Sequence, residues 1–184
     1  SSGYGKADLE TGSEVFPEST VFRIASISKP ITATALARLV EEGVLHLDED
    51  IRTYVPEFPE KHGVVTLRQL ASHTAGIRGY RGKEFALNRP LDIAESLGLF
   101  VEDPLLFPPG EGYHYNSFDF VLLSLAMQRA AGQPFRQLVA ERVLKPLSMT
   151  STQMEMPGQQ VPGQASFYSR FGKEFRKAVP VDTR

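Results

Sequence analysis

The chain contains no cysteine. Disulfides and thiolate metal sites are thereby excluded, and no redox compartment is selected. It has no apolar run near the roughly 18 residues that a membrane-spanning helix needs, so no membrane segment is expected in this chain. It has no strong charge of either sign: 20 Lys and Arg stand against 22 Asp and Glu, for a formal net charge of −2. The basic residues are scattered rather than clustered, which argues against a nucleic-acid partner. The histidines His46, His62, His73 and His114 show no metal-like spacing. No metal and no cofactor are expected. Residues 1–20 lack the apolar core of a signal peptide, and no internal repeat or heptad is visible.

What is present is an ordinary globular composition. The 184 residues are 41% hydrophobic and 23% charged, enough for one core and at most two small domains. The chain opens on Ser1-Ser2-Gly3-Tyr4-Gly5 and closes on Val179-Pro180-Val181-Asp182-Thr183-Arg184. Neither end carries a helix signal, and both read as cut.

Short β-prone pieces at 3–10 and 20–25 flank a Gly/Ser/Pro-containing link. From Ser26 the pattern turns helical: Ile31, Ala35, Leu36, Leu39 and Val40 recur at helical spacing, with Pro30 in the first turn and Gly43 as the stop. Asp48 is expected to cap a short helix carrying Ile51, Tyr54 and Val55, ended by Pro56. Thr66 and Gln69 read as a capping box opening a helix through Leu67, Leu70 and Ala71, with Gly76 closing it or the turn after it. Pro90 is placed at a first helical position, with Asp92 in the first turn and Ile93, Ala94 and Leu97 as the apolar face. Pro104, Pro108, Pro109 and Gly110 form a stiff connector. A long apolar helix is expected over about Phe118 to Ala131, stopped by Gly132, and another from Pro134 to Leu144. Five or six helices and only fragments of strand make a domain whose sheet is marginal alone.

One stretch carries chemistry. Ser26 and Lys29 stand at i and i+3 where a helix begins, so a hydroxyl and an amine share one face. Serine becomes a useful nucleophile only when a neighbour takes its proton, and a lysine beside it can do so. The helix N-terminus favours an alkoxide there, and the Ser26 N–H can supply half of an oxyanion hole. The spacing alone is weak, because a chain of this length holds roughly one Ser-x-x-Lys by chance; the alternative is a helix start with Ser26 as N-cap and Lys29 solvated. A second constellation, Pro109-Gly110-Glu111-Gly112-Tyr113-His114-Tyr115-Asn116-Ser117, follows the stiff connector. A tyrosine near a lysine ammonium can have a lowered pKa and act as general base. Alternatively, Tyr113 and Tyr115 are core or rim aromatics.

Taken together, these segments resemble the class C β-lactamase-related serine hydrolases. The resemblance is carried by Phe22 to Ala33, by Gly43-Val44-Leu45-His46-Leu47-Asp48 with Tyr54-Val55-Pro56, and by Thr66 through Ile77. It continues in Pro109-Gly110, Tyr115-Asn116-Ser117 and Val143 through Thr150. The segments fall in family order from about residue 3 to 152. The nearest flavour is the penicillin-binding-protein-like bacterial serine hydrolase and LACTB-like branch.

The resemblance implies an α+β, β-lactamase/transpeptidase-like fold with the helical subdomain mostly present and the antiparallel sheet largely missing. It implies a single incomplete domain: sheet-edge strands over 1–25, a mainly helical region over 26–152 and an irregular segment over 153–184. It implies Ser26 as the acylated nucleophile, Lys29 as the lysine sharing its proton, Tyr115 as general base and leaving-group acid, and Ser117 as a substrate-binding residue. Ser117 stands where the family usually has Asn, which weakens the case for β-lactam specificity. The third family motif, Lys- or His-[Thr/Ser]-Gly, is absent and is expected beyond residue 184. His73-Thr74-Ala75-Gly76 looks like it but belongs to the family's Ser-His-Thr-Ala-Gly stretch, and is expected to be structural, ending a helix and wedging a turn near the cleft. Arg78, Tyr80 and Arg81 then rim the site or are simply solvated.

The expected activity is hydrolysis of an ester, amide or small peptide bond in a small-molecule or peptide substrate through a Ser26 acyl-enzyme, with this stretch alone inactive. The alternative is a penicillin-binding sensor or assembly-forming scaffold with an acylatable serine. By resemblance the location is extracytoplasmic or mitochondrial.

Overall fold

A computed structural model describes residues 1–86, 91–156 and 158–178. Pro90 and Val179–Arg184, on which expectations were placed above, lie outside the described residues.

Helix α1 (Ser28–Glu41) buries Thr32, Ala35, Leu36 and Leu39, one face at the i, i+3, i+4, i+7 spacing. It is preceded by a 3-10 turn, Ala25–Ile27. Gly43 turns left-handed at φ 70, and the Val44 N–H bonds back to the Leu39 carbonyl at 2.9 Å, the glycine-dependent stop that the pattern called for. Helix α2 (Leu67–Ala71) starts on the expected capping box, with Thr66 and Gln69 each accepting from the other's backbone.

The cap assigned to Asp48 belongs to Asp50. Asp50 is extended, accepts from the Arg52 N–H and opens a 3-10 turn, Ile51–Thr53, rather than a helix. Asp48 lies two residues too early to reach those donors and pairs instead with Arg68 at 2.6 Å. In helix α3 (Ile93–Leu97), Asp92 is itself the N-cap, in a capping box with Glu95.

Helix α4 (Phe118–Ala131) ends at left-handed Gly132. It packs against α1, α2, α3 and the next helix, α5 (Phe135–Val139). Its buried residues run all round, from Phe118 through Met127, as suits a central helix. Helix α5 continues into one π turn, Ala140–Leu144. Leu39, Leu45, Ile51, Leu67, Leu70 and Leu138 are fully buried in one core with Leu122 and Leu123 of α4, each contributing about 1.5–3 kcal/mol relative to exposure. Among the described residues, no helix is long and apolar enough to cross a membrane.

The strand expectations need correction. Residues 1–25 contribute single bridges, Lys6 to Glu14 and Val21 to Gln164, because Gly5 and Gly12 turn left-handed and break any ladder. The segment read as irregular holds the regular hairpin instead: strand β1 (Tyr168–Phe171) pairs antiparallel with β2 (Glu174–Lys177). Its two-residue turn carries Gly172 at φ 62, the backbone that tight hairpins require. The hairpin is tied to the N-terminal piece by the Ser166 N–H on Ala7 O at 2.8 Å and by Lys177 on Asp8 and Glu10.

Candidate active site

Ala25 has φ 44, a left-handed backbone that costs a non-glycine residue about 1–3 kcal/mol. This kink throws Ser26 outward at the start of the 3-10 turn that feeds α1. Ser26 is exposed. It is not the N-cap: Ile27 holds that position with no side-chain bond, so the Ser26 hydroxyl is not used in capping. One turn on, Lys29 Nζ donates to Ser26 Oγ at 3.3 Å. Phe22, Ile24 and Ile27 around them are exposed apolar side chains.

Tyr115 arrives on the loop before α4. That loop is stapled to the turn after α2 at two points: the Gly110 N–H donates to Thr74 O at 2.8 Å, and the His114 N–H to His73 O at 2.9 Å. Gly110 needs φ 91 to make this approach, which suits glycine alone among residues without strain. The Tyr115 ring is half-exposed, and Lys29 Nζ lies 4.7 Å from its centroid. The Tyr115 phenol is held below its ordinary value, first by interaction with Lys29 and next by Ser26, with burial opposing. A phenol so placed gives up its proton more readily than a free tyrosine.

Ser117 is the half-buried N-cap residue of α4 and makes no side-chain cap bond. The structure therefore brings Ser26, Lys29 and Tyr115 together and places Ser117 two residues from Tyr115.

Beneath Tyr115 lies a polar group that motif reading missed. Asp119 is fully buried, Asn116 and His73 nearly so. Asp119 Oδ2 meets His73 Nδ1 at 2.8 Å and accepts from Asn116 Nδ2 at 2.7 Å. Asn116 Oδ1 accepts the Asp119 N–H at 2.8 Å, and its amide group also reaches the carbonyls of Ile77 and His114. Burial pushes the Asp119 carboxyl up to about 8. The His73 imidazole is pushed down by burial first, then by the charges of Lys29 and His114. Both shifts favour the neutral forms, a carboxyl and an imidazole meeting along the Nδ1–Oδ2 contact. His73 also ends α2, at φ 60 just past the Ser72 cap; the glycine at 76 belongs to the following turn. The signal was available: Asp119 shares a helical face with Leu122, Leu123 and Ala126, all buried, so an acid stood on an apolar stripe.

Arg78 is neither a rim residue nor solvated. It is 5% exposed, bonded to Glu84 at 2.7 Å and Asp103 at 2.7 Å, and its guanidinium lies 5.3 Å from the Phe118 ring. Arg81 is exposed and joins Asp103 at 2.9 Å. Tyr80 packs edge-on against Phe118 at 5.0 Å.

A hydroxyl, a lysine and a phenol of lowered pKa are thus gathered at a helix start. The family model described as Beta-lactamase matches residues 1–184, and the chain belongs to that family, with its β-lactamase/transpeptidase-like fold. The chain is 36% identical to "Esterase EstB" of Burkholderia gladioli over 163 residues, covering 79% of this chain and 41% of that protein. It is 31% identical to the human "Serine beta-lactamase-like protein LACTB, mitochondrial", covering 91% of this chain and 43% of that protein. Among solved structures it superposes on a penicillin binding protein from Bacillus halodurans with TM-score 0.85 and 27% identity, covering 96% of this chain and 56% of that one. The chain thus spans about half the length of the relatives it matches.

Proposed function

We propose that the protein containing this chain cleaves an ester, or an amide or small peptide bond, through an acyl-enzyme on Ser26. The observation that carries this reading is the 3.3 Å contact from Lys29 Nζ to Ser26 Oγ, with Tyr115 beside Lys29. In the proposed cycle Ser26 Oγ attacks the carbonyl carbon as its proton passes to the Lys29–Tyr115 pair. Tyr115 returns that proton to the leaving group as the tetrahedral intermediate collapses, re-forming the carbonyl and breaking the bond from carbon to the leaving group. Water then attacks the acyl-enzyme and frees Ser26. In this reading Ser117, two residues after Tyr115, meets a polar group of the substrate with a hydroxyl that both donates and accepts. The likeness to an esterase supports an ester as the first substrate class to try.

A second reading, supported by the likeness to a penicillin-binding protein, keeps acylation and loses turnover. One experiment separates the two: the complete protein is mixed with p-nitrophenyl acetate, and separately with a labelled penicillin. Sustained nitrophenol release with no retained label supports the hydrolase; a single burst with a persistent penicillin adduct supports the sensor. Absence of both release and label, or release that persists in Ser26→Ala, overturns both.

A further inference from the structure

His73 carries three features that packing alone does not require. Its backbone is left-handed at φ 60 although it is not glycine. Its ring is bonded to a carboxyl group with no solvent access, whose second oxygen, Oδ1, has no partner among the described residues. A buried ionisable pair is rarely worth more to stability than apolar residues of the same size. Strain and an expensive buried acid in one place point to a local function.

The third feature is where the ring faces. His73 lies 4.6 Å from the Tyr115 ring and 5.3 Å from the Phe120 ring, centroid to centroid. Lys29 Nζ lies 4.7 Å from Tyr115 and 5.6 Å from Phe120. Lys29, Tyr115, His73 and Phe120 therefore close a circuit of four contacts, with Asp119 and Asn116 anchoring it from the core. The titratable or charged groups facing His73 are Asp119 from α4, Lys29 from α1, and Tyr113, His114 and Tyr115 from the loop.

We propose that His73 is a positioning residue for the reaction: locked by Asp119 and Asn116, it braces the Tyr115 ring so that the phenol stays at Lys29 and Ser26. The inference rests on Tyr115 acting at Ser26, as proposed above. A neutral imidazole suits this task, because it adds no charge to compete with Lys29 for the phenolate. The Nδ1–Oδ2 bond fixes the ring plane, and the left-handed backbone brings the ring up from the end of α2. The same residue's carbonyl accepts the His114 N–H, so one residue holds both the loop and the ring that the loop carries.

The test uses the complete protein and the rate of Ser26 acylation by a fluorophosphonate across pH. His73→Asn is the first variant, since asparagine tolerates the left-handed backbone and is too short to reach Tyr115. Its rate is expected to fall about tenfold to a hundredfold. The acid limb of its pH profile is expected to move to higher pH, as Tyr115 drifts from Lys29. Where His73→Asn does not fold, Asp119→Ala carries the same expectation, and Asp119→Asn, which restores a partner for Nδ1, recovers most of the lost rate. A wild-type rate in His73→Asn or Asp119→Ala overturns the proposal. So does a slower rate with an unmoved acid limb, which is what general loosening gives. Tyr115→Phe separates the two levels: if it acylates as fast as wild type, the catalytic reading itself fails; if it is slow while His73→Asn is not, only the positioning role fails.

Discussion

Asp119 Oδ2 and His73 Nδ1, 46 positions apart in sequence, lie 2.8 Å apart in the core. The contact ties the first turn of α4 to the end of α2, directly under Tyr115. It also couples the stability of the domain to pH.

Burial raises Asp119 to about 8 from the ordinary carboxyl value of 3.8. The unfolded chain releases this proton near pH 4 and the folded chain holds it to about pH 8. Between those values the folded state binds more protons, so stability falls as pH rises, by at most about 1.4 kcal/mol per pH unit. His73 acts in the opposite sense: its folded pKa is depressed, so its contribution is present above the unfolded value and is lost as pH falls below it. Asp119→Asn removes only the first effect. Urea midpoints measured from pH 4 to 9 are expected to show the variant gaining on wild type steadily up to about pH 8. Parallel curves would contradict the assignment.

Gly76 stands at φ 82, and a Cβ there would lie 2.3 Å from the Phe107 carbonyl oxygen. Gly76→Ala is expected to lose more than about 1–2 kcal/mol, combining left-handed strain with a backbone clash. The turn at 73–76 is bonded to the Tyr115 loop, so the same variant should acylate more slowly. Thermal unfolding and fluorophosphonate rates, measured side by side, check both.

Lys29→Met should abolish acylation and let the Tyr115 phenol titrate nearer the ordinary value of about 10, because Lys29 is the main cause of its depression. Ultraviolet difference titration against Tyr115→Phe isolates that one phenol. An unshifted phenol in Lys29→Met would contradict the geometry.

Ser117→Asn restores the residue usual in the resembling family. The Ser117 side chain makes no cap bond that the change would remove, so stability should change by less than about 0.5 kcal/mol. The rate of penicillin acylation relative to ester acylation is expected to rise. An unchanged ratio would remove Ser117 from the substrate's path.

Much of this was legible in the sequence, for reasons particular residues make plain. Helix α4 is readable because a long apolar run meets Gly132, and α2 because Thr66 and Gln69 form a two-sided capping box. The Ser26–Lys29 contact was readable because it is local, three residues within one turn. Asn116 and His73 stand in motifs that the sequence shows, but their meeting with Asp119 depends on how α2 and α4 pack, and an acid in a helix's first turn looks like a surface partner for the helix dipole. The hairpin at 168–177 is not legible because most of its residues are exposed on both faces, leaving no apolar alternation to read. Asp48 and Asp50 differ only in which one meets an extended backbone, a distinction that sequence does not carry.

The most direct measurement is the mass of the complete protein after fluorophosphonate treatment, with the adduct located by peptide mapping. The expected result is one adduct on Ser26, absent in Ser26→Ala and formed about a hundredfold or more slowly in Tyr115→Phe. No adduct, or one that persists in Ser26→Ala, would contradict the assignment of Ser26 as nucleophile.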